Sequence, residues 1–185
     1  MYRMKYTMSK RLTKILQIAV LSCFTLLMGL IGGEESSSAA SAADVIRVID
    51  GDSIVVSMRG QKEEIRLIGI DAPEMGQRPW GAEAREHLKE ILLRSSDRVS
   101  VAYDVQKRDK YGRLLAYIRT ADGVLANAGM LKDGYAVLFT LPPNVRYVDE
   151  FRAAQESARE RRLGIWGKRG LREAPYHYRR KHPRR

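Results

Sequence analysis

Three β-branched runs in a row, separated only by turn residues, narrow the folds open to this chain. "DVIRVID" (residues 44–50), "DSIVVSM" (52–58) and "EEIRLIGI" (63–70) are divided by Asp50-Gly51 and Arg59-Gly60. Such joints supply the positive φ of a tight hairpin, so three antiparallel strands are expected. A helix comes next. In "WGAEAREHLKEILLR" (80–94), just beyond Pro79, helical spacing sets Ala84, Leu88, Ile91 and Leu92 on one face. Alternation returns over 97–105 and 113–119, with "DKYG" turning the chain between them. Beyond Asp122-Gly123 the pattern predicts a short helix near 125–133 ending at Gly134, a brief strand in "YAVLF", and a helix from Val148 to Arg162 with Gly164 as its C-cap. Strands with a helix inserted after the third do not alternate as βαβ units do. The reading is an α+β fold, a five-stranded Greek-key β-barrel (OB-fold) with about three helices.

At 185 residues and 44% hydrophobic, the chain holds apolar material for one ordinary domain. The net charge of +11 is unevenly placed: residues 1–42 carry +3, residues 168–185 carry +7, and the expected domain, 43–167, carries only +1. The tail "KRGLREAPYHYRRKHPRR" reads as a basic disordered segment that holds polyanions through counterion release, or that meets an anionic wall or lipid surface.

The first 42 residues read as an address label. Arg3, Lys5, Lys10, Arg11 and Lys14 precede an apolar run from Ile15 to Ile31, and Ala40-Ser41-Ala42 offers a small-x-small cleavage pattern. The segment is either a signal peptide cleaved after Ala42 or a retained membrane anchor. In both cases the domain is expected outside the cytoplasm, secreted or membrane-anchored. Cys23 is the only cysteine and lies in this leader, so no disulfide is open to the domain.

Four acids gather where the predicted strands end. Asp50 and Asp52 flank Gly51 in the first turn, and Asp71 and Glu74 leave the third strand around Pro73. Like charges at close range need a counter-charge, and a hard divalent cation such as Ca2+ takes oxygen ligands of this kind. Taken singly, an aspartate in a turn equally well caps backbone amides. Arg66 alternates with Ile65 and Leu67 along the third strand, and a guanidinium directed into a barrel mouth is either paired with a neighbouring glutamate or reserved for an anion. Arg113, opening the fifth strand after Gly112, poses the same choice.

"VIDGDSI", "IRLIGIDAPE", "RDKYGRLLAYI", "ADGVLAN" and "LGIWG", in that order over residues 45–167, resemble the staphylococcal nuclease (thermonuclease) family. The resemblance implies an OB-fold and a Ca2+-dependent, sugar-nonspecific endonuclease acting on DNA and RNA. It assigns metal ligation to Asp52, Asp71 and the main-chain carbonyl of Ala72, with Asp50 in the outer shell. Glu74 takes the general-base position, Arg66 and Arg113 those of two phosphate-holding arginines, and Lys110 and Tyr111 positions near a nucleotide phosphate. Two departures concern base preference: the loop after Glu74, "MGQRPWG", is short, and "AVLFTLPPN" lacks the family's pair of tyrosines. Tyr111, Tyr135, Phe139 and Trp80 are the remaining candidates for a stacking face.

The rival reading is a catalytically inactive OB-fold module that binds nucleic acid. It predicts missing acids or arginines, whereas every matched position here is filled. The protein is expected to act as a monomer, with membrane or cell-wall association through its leader or basic tail.

Overall fold

A computed structural model describes residues 40–94 and 96–183. The basic and apolar stretches of the expected leader lie outside them. Among the described residues, no helix is long and apolar enough to cross a membrane.

Strands β1 (Ser41–Asp50), β2 (Ser53–Met58) and β3 (Gln61–Leu67) form the predicted meander, with Asp50 opposite Ser53 and Met58 opposite Gln61. The β2–β3 turn places Arg59 at φ 52° and Gly60 at φ 77°. Positive φ at both central residues marks a type I′ turn, whose twist matches that of its strands. β1 starts at Ser41, which pairs with Val101, so the cleavage point expected after Ala42 falls inside a barrel strand.

A short strand β4 (Gly69–Asp71) follows β3. Helix α1 (Trp80–Leu93) then crosses to β5 (Arg98–Ala102) and β6 (Leu114–Thr120). β5 pairs antiparallel with both β1 and β6, and β6 runs parallel to β3, closing a barrel in the order β1-β2-β3-β6-β5. This is the expected OB-fold. Its interior is filled by Ile54, Val56, Ile65, Leu67, Val101, Ala116 and Ile118, each at most 1% exposed. α1 buries Ala84, Leu88, Ile91 and Leu92, the four residues its periodicity selected. Truncating one such buried leucine to alanine typically costs about 2–5 kcal/mol. Helix α2 (Ala126–Lys132), strand β7 (Val137–Phe139), helix α3 (Val148–Glu160) and a 3-10 turn at Gly164–Trp166 complete the domain.

Three expectations are corrected. The third strand does not run unbroken to residue 70: it leaves the barrel at Ile68, and β4 pairs with β7 instead. The break needs Gly69, at φ 80°, where a Cβ would come within 2.5 Å of the Phe151 ring. Gly164 is not the cap of α3. Arg162, at φ 54°, takes the left-handed position, with Leu163 N–H donating to Ala158 O at 2.9 Å and Arg162 N–H to Arg159 O at 3.0 Å, a Schellman ending. Gly164 instead lets two backbones cross, because a Cβ there would meet the Gly134 carbonyl. The expected disordered tail contains the fourth helix among the described residues, α4 (Pro175–Lys181), started by proline at its first turn. Local charge argues for a solvated coil, but this helix has a docking partner in the acid cluster.

Candidate active site

Two segments distant in sequence carry the acids, and small residues let them meet. A Cβ on Gly51 would fall 2.6 Å from the Cβ of Ala72 and 2.8 Å from that of Ala84. Only glycine therefore allows the Asp50-Gly51-Asp52 turn to lie against both the Asp71–Ala72 segment and α1. A Cβ on Gly81 would strike the Glu74 carbonyl, so the start of α1 backs the loop that carries Glu74.

Hydrogen bonds fix the side chains. Asp50 Oδ1 accepts from Asp52 N–H at 3.1 Å, and Ser53 Oγ donates to Asp52 Oδ1 at 3.1 Å. Asp52 Oδ2 accepts from Ala72 N–H at 2.8 Å, tying the first turn to the second acidic segment across 20 residues. Arg66 lies among them. Its Nη2 is 3.2 Å from Asp52 Oδ2 and 3.2 Å from Asp71 Oδ1, while Nη1 donates to Leu67 O at 2.8 Å. The residue pairs with two aspartates rather than with a glutamate. One guanidinium nitrogen thus faces two carboxylates whose side chains are 8% and 1% exposed.

Asn127, in "ADGVLAN", has a structural role that the motif alone did not reveal. Its side chain is wholly buried, donating from Nδ2 to Ile68 O at 2.8 Å and accepting from Ile118 N–H at 3.0 Å through Oδ1. It ties α2 to β6 and to the point where the chain leaves β3, and so sets the direction in which β4 delivers Asp71. A polar residue in the first turn of an otherwise apolar helix was the available signal.

The remaining candidates form a second group on the next turn. Asp109 Oδ1 accepts from Tyr111 N–H at 2.9 Å and Arg113 N–H at 3.0 Å, and Gly112 turns at φ 86°. Arg113 donates from Nε to Asp109 Oδ2 at 2.8 Å and has Nη1 3.9 Å from Glu64. Since β6 runs beside β3 with Leu115 opposite Arg66, Arg113 stands one pleat repeat, about 7 Å, further along the sheet. Tyr111 is 73% exposed, with Lys110 and Arg113 over its ring. Of the four aromatic candidates it presents the open face: Trp80 is buried against Tyr135, Tyr135 stacks on His87, and Phe139 is stacked by Tyr176.

The tail adds a residue that sequence reasoning missed. Arg179 Nη1 lies 2.8 Å from both Asp71 Oδ1 and Glu74 Oε1, and Nη2 is 3.0 Å from Asp71 Oδ2. No local signal pointed to it, because its partners lie more than 100 residues away.

Burial dominates the electrostatics of two of the acids, Asp50 and Asp71. It pushes Asp50 up to about 6, with the Asp52 charge adding to the shift. Asp71 is raised by burial as well, and the hydrogen bond from Arg179 pulls it back. Hard oxygens gathered in one cluster, four of them already held by the guanidinium groups of Arg66 and Arg179, fit a divalent cation. Among the described residues no three His, Cys, Asp or Glu side chains form a ready ligand set. A cation here would therefore draw on two carboxylates, a main-chain oxygen and water.

The sequence matches the family model described as "Staphylococcal nuclease homologue" over residues 64–168. The chain is 39% identical over 127 residues to the Thermonuclease of Staphylococcus intermedius, covering 66% of this chain and 74% of that protein. Against the Thermonuclease of Staphylococcus hyicus it is 36% identical over 127 residues, covering 66% and 73%. Against Endonuclease YncB of Bacillus subtilis (strain 168) it is 37% identical over 131 residues, covering 67% of this chain but only 61% of the relative's length. Together with the barrel and its acid-bearing turns, these matches place the chain in the staphylococcal nuclease homologue family.

Proposed function

We propose that this chain is a Ca2+-dependent, sugar-nonspecific endonuclease that hydrolyses phosphodiester bonds of DNA and RNA, working outside the cytoplasm as a monomer. The observation that carries the reading is the convergence of Asp52, Asp71 and Arg66 beside Glu74 on one end of an OB barrel. The names thermonuclease and endonuclease borne by the relatives support it. The export part rests on the basic and apolar leader, and the leader or basic tail provides contact with a membrane or cell wall.

Hydrolysis requires a water oxygen to bond to phosphorus while the ester P–O bond breaks and the departing oxygen takes up a proton. Asp52, Asp71 and the Ala72 carbonyl would hold Ca2+, which when bound neutralises negative charge on the phosphate and favours ionisation of water. Arg66 presents its guanidinium to the non-bridging phosphate oxygens, where charge grows as the fifth bond forms. Its Nη1 donates to the Leu67 carbonyl, and its contacts with both aspartates hold it beside the carboxylates that would carry the cation. Arg113 supplies a second guanidinium from the neighbouring turn. Glu74, whose N–H is fixed by Gln77 Oε1 at 2.9 Å, accepts the proton from the attacking water. Lys110 and Tyr111, on the exposed turn, meet a flanking phosphate and base.

Incubating the purified protein with single-stranded DNA and with RNA, in Ca2+ and in excess chelator, tests the reading. Cleavage of both polymers in Ca2+ and none in chelator is expected, and cutting that persists undiminished in chelator refutes it.

A further inference from the structure

The C-terminal helix α4 occupies the acid cluster of its own chain, and four contacts hold it there. Arg179 spans both oxygens of Asp71 and reaches Glu74. Tyr176 stacks on Phe139 of β7 at 6.4 Å, at the strand that pairs with β4. Tyr178 packs its hydroxyl end over Gly76, where a Cβ would come within 2.4 Å of that oxygen. Gln77 Nε2 donates to Glu173 O at 2.8 Å, just before the helix starts. The helix is only seven residues long and strongly basic, so its position comes from these contacts rather than from intrinsic helix strength.

The pairing is selective. Among the tail's described basic residues, Lys181 turns back to Glu173 and Arg180 lies over Tyr176, while Arg179 is directed at Asp71 and Glu74. The residues it grips are the carboxylate assigned to the cation and the one assigned to the attacking water. A guanidinium across both Asp71 oxygens supplies the positive charge that a divalent cation would otherwise bring, and it uses the same lone pairs.

We propose that residues 172–183 form a self-inhibitory segment, in which Arg179 competes directly with the divalent cation for Asp71 and withholds Glu74 from water. The inference rests on the assignment of Asp71 as a cation ligand under the proposed function. The docked tail and the loaded cation site exclude each other. Cation binding therefore releases α4, and its freed arginines then become available to the phosphates of a long polyanion. Tail and catalytic site are one linked device, in place of the separate roles that charge distribution alone suggests.

Competition of this kind multiplies the apparent dissociation constant by the inverse of the open fraction. A helix docked about nine-tenths of the time lowers apparent Ca2+ affinity about tenfold. The test measures Ca2+ binding by titration calorimetry on the full chain and on Arg179→Gln, Tyr176→Ala and Asp71→Asn, with limited trypsin digestion of the tail at each Ca2+ concentration. Arg179→Gln should tighten Ca2+ binding about tenfold. Tyr176→Ala, which loosens the helix without touching an acid, should tighten it less. Ca2+ should speed cleavage after Arg179 and Arg180 in the unaltered chain, and Asp71→Asn should abolish both binding and this acceleration. Unchanged Ca2+ affinity in Arg179→Gln, with binding still lost in Asp71→Asn, overturns self-inhibition and leaves the cation site standing. Failure of the unaltered chain and Arg179→Gln alike to bind Ca2+ overturns the cation assignment, and self-inhibition with it.

Discussion

Replacing Asp50 by asparagine should stabilise the cation-free domain at neutral pH and leave it unchanged near pH 4. Asp50 is 8% exposed, and burial together with the neighbouring Asp52 charge raises its pKa from 3.8 to about 6. A raised pKa means that the folded state holds the proton more tightly than the unfolded chain does. The stability this group contributes is thus fully present below 3.8 and is lost as pH climbs to about 6. At about 1.4 kcal/mol per pKa unit the loss amounts to about 3 kcal/mol, roughly a fifth to three fifths of a typical domain's total stability. Asparagine cannot ionise, retains an oxygen to accept from the Asp52 N–H, and offers an amide donor to the Asp52 carboxylate. Urea unfolding of both chains in chelator, from pH 4 to pH 8, reads the effect. The difference between variant and parent should grow through the window between about pH 4 and pH 6 and then level off. A difference that is flat across pH would refute the argument that Asp50 is the group whose ionisation opposes folding.

Arg66→Ala leaves Asp52 and Asp71 buried without their shared guanidinium, and should cost about 3–5 kcal/mol in chelator; Ca2+ should restore part of it by binding the folded state alone. A loss under 1 kcal/mol in urea unfolding, or one indifferent to Ca2+, counts against this account. Arg113→Ala breaks partly exposed pairs with Asp109 and Glu64 and should change stability by about 1 kcal/mol or less, while lowering the cleavage rate by about 100-fold or more through lost charge stabilisation. Unfolding and single-turnover kinetics on the same preparation separate the two, and an unchanged rate removes Arg113 from the reaction.

Much of the architecture could be read locally. Val and Ile alternating up to Asp50-Gly51 and Arg59-Gly60 specify hairpins because the turn fixes the register of the strands beside it. The apolar face of α1 is legible because Ala84, Leu88, Ile91 and Leu92 recur at the helical period. The acids stood out for the same reason: they sit where strands stop, and turn positions are readable from neighbours a few residues away. What required the tertiary structure involves partners far apart in sequence. The parallel pairing of β3 with β6, the exit at Ile68 held by Asn127, and the strand pair β4–β7 arise from barrel closure and from satisfying buried polar groups. Neither leaves a short-range periodicity. The tail shows this most sharply. By composition, residues 168–185 are a solvated basic coil, since nothing within them offsets the entropy of ordering. Folding buries Asp71, where negative charge becomes costly, beside Glu74, and this pair then supplies the partner that orders α4 around Arg179. The sequence by itself determined the hairpins, the first helix and which residues carry charge; only the fold decided that the tail forms a helix whose arginine reaches the acid site, because that contact depends on a buried acid cluster that does not exist until the barrel closes.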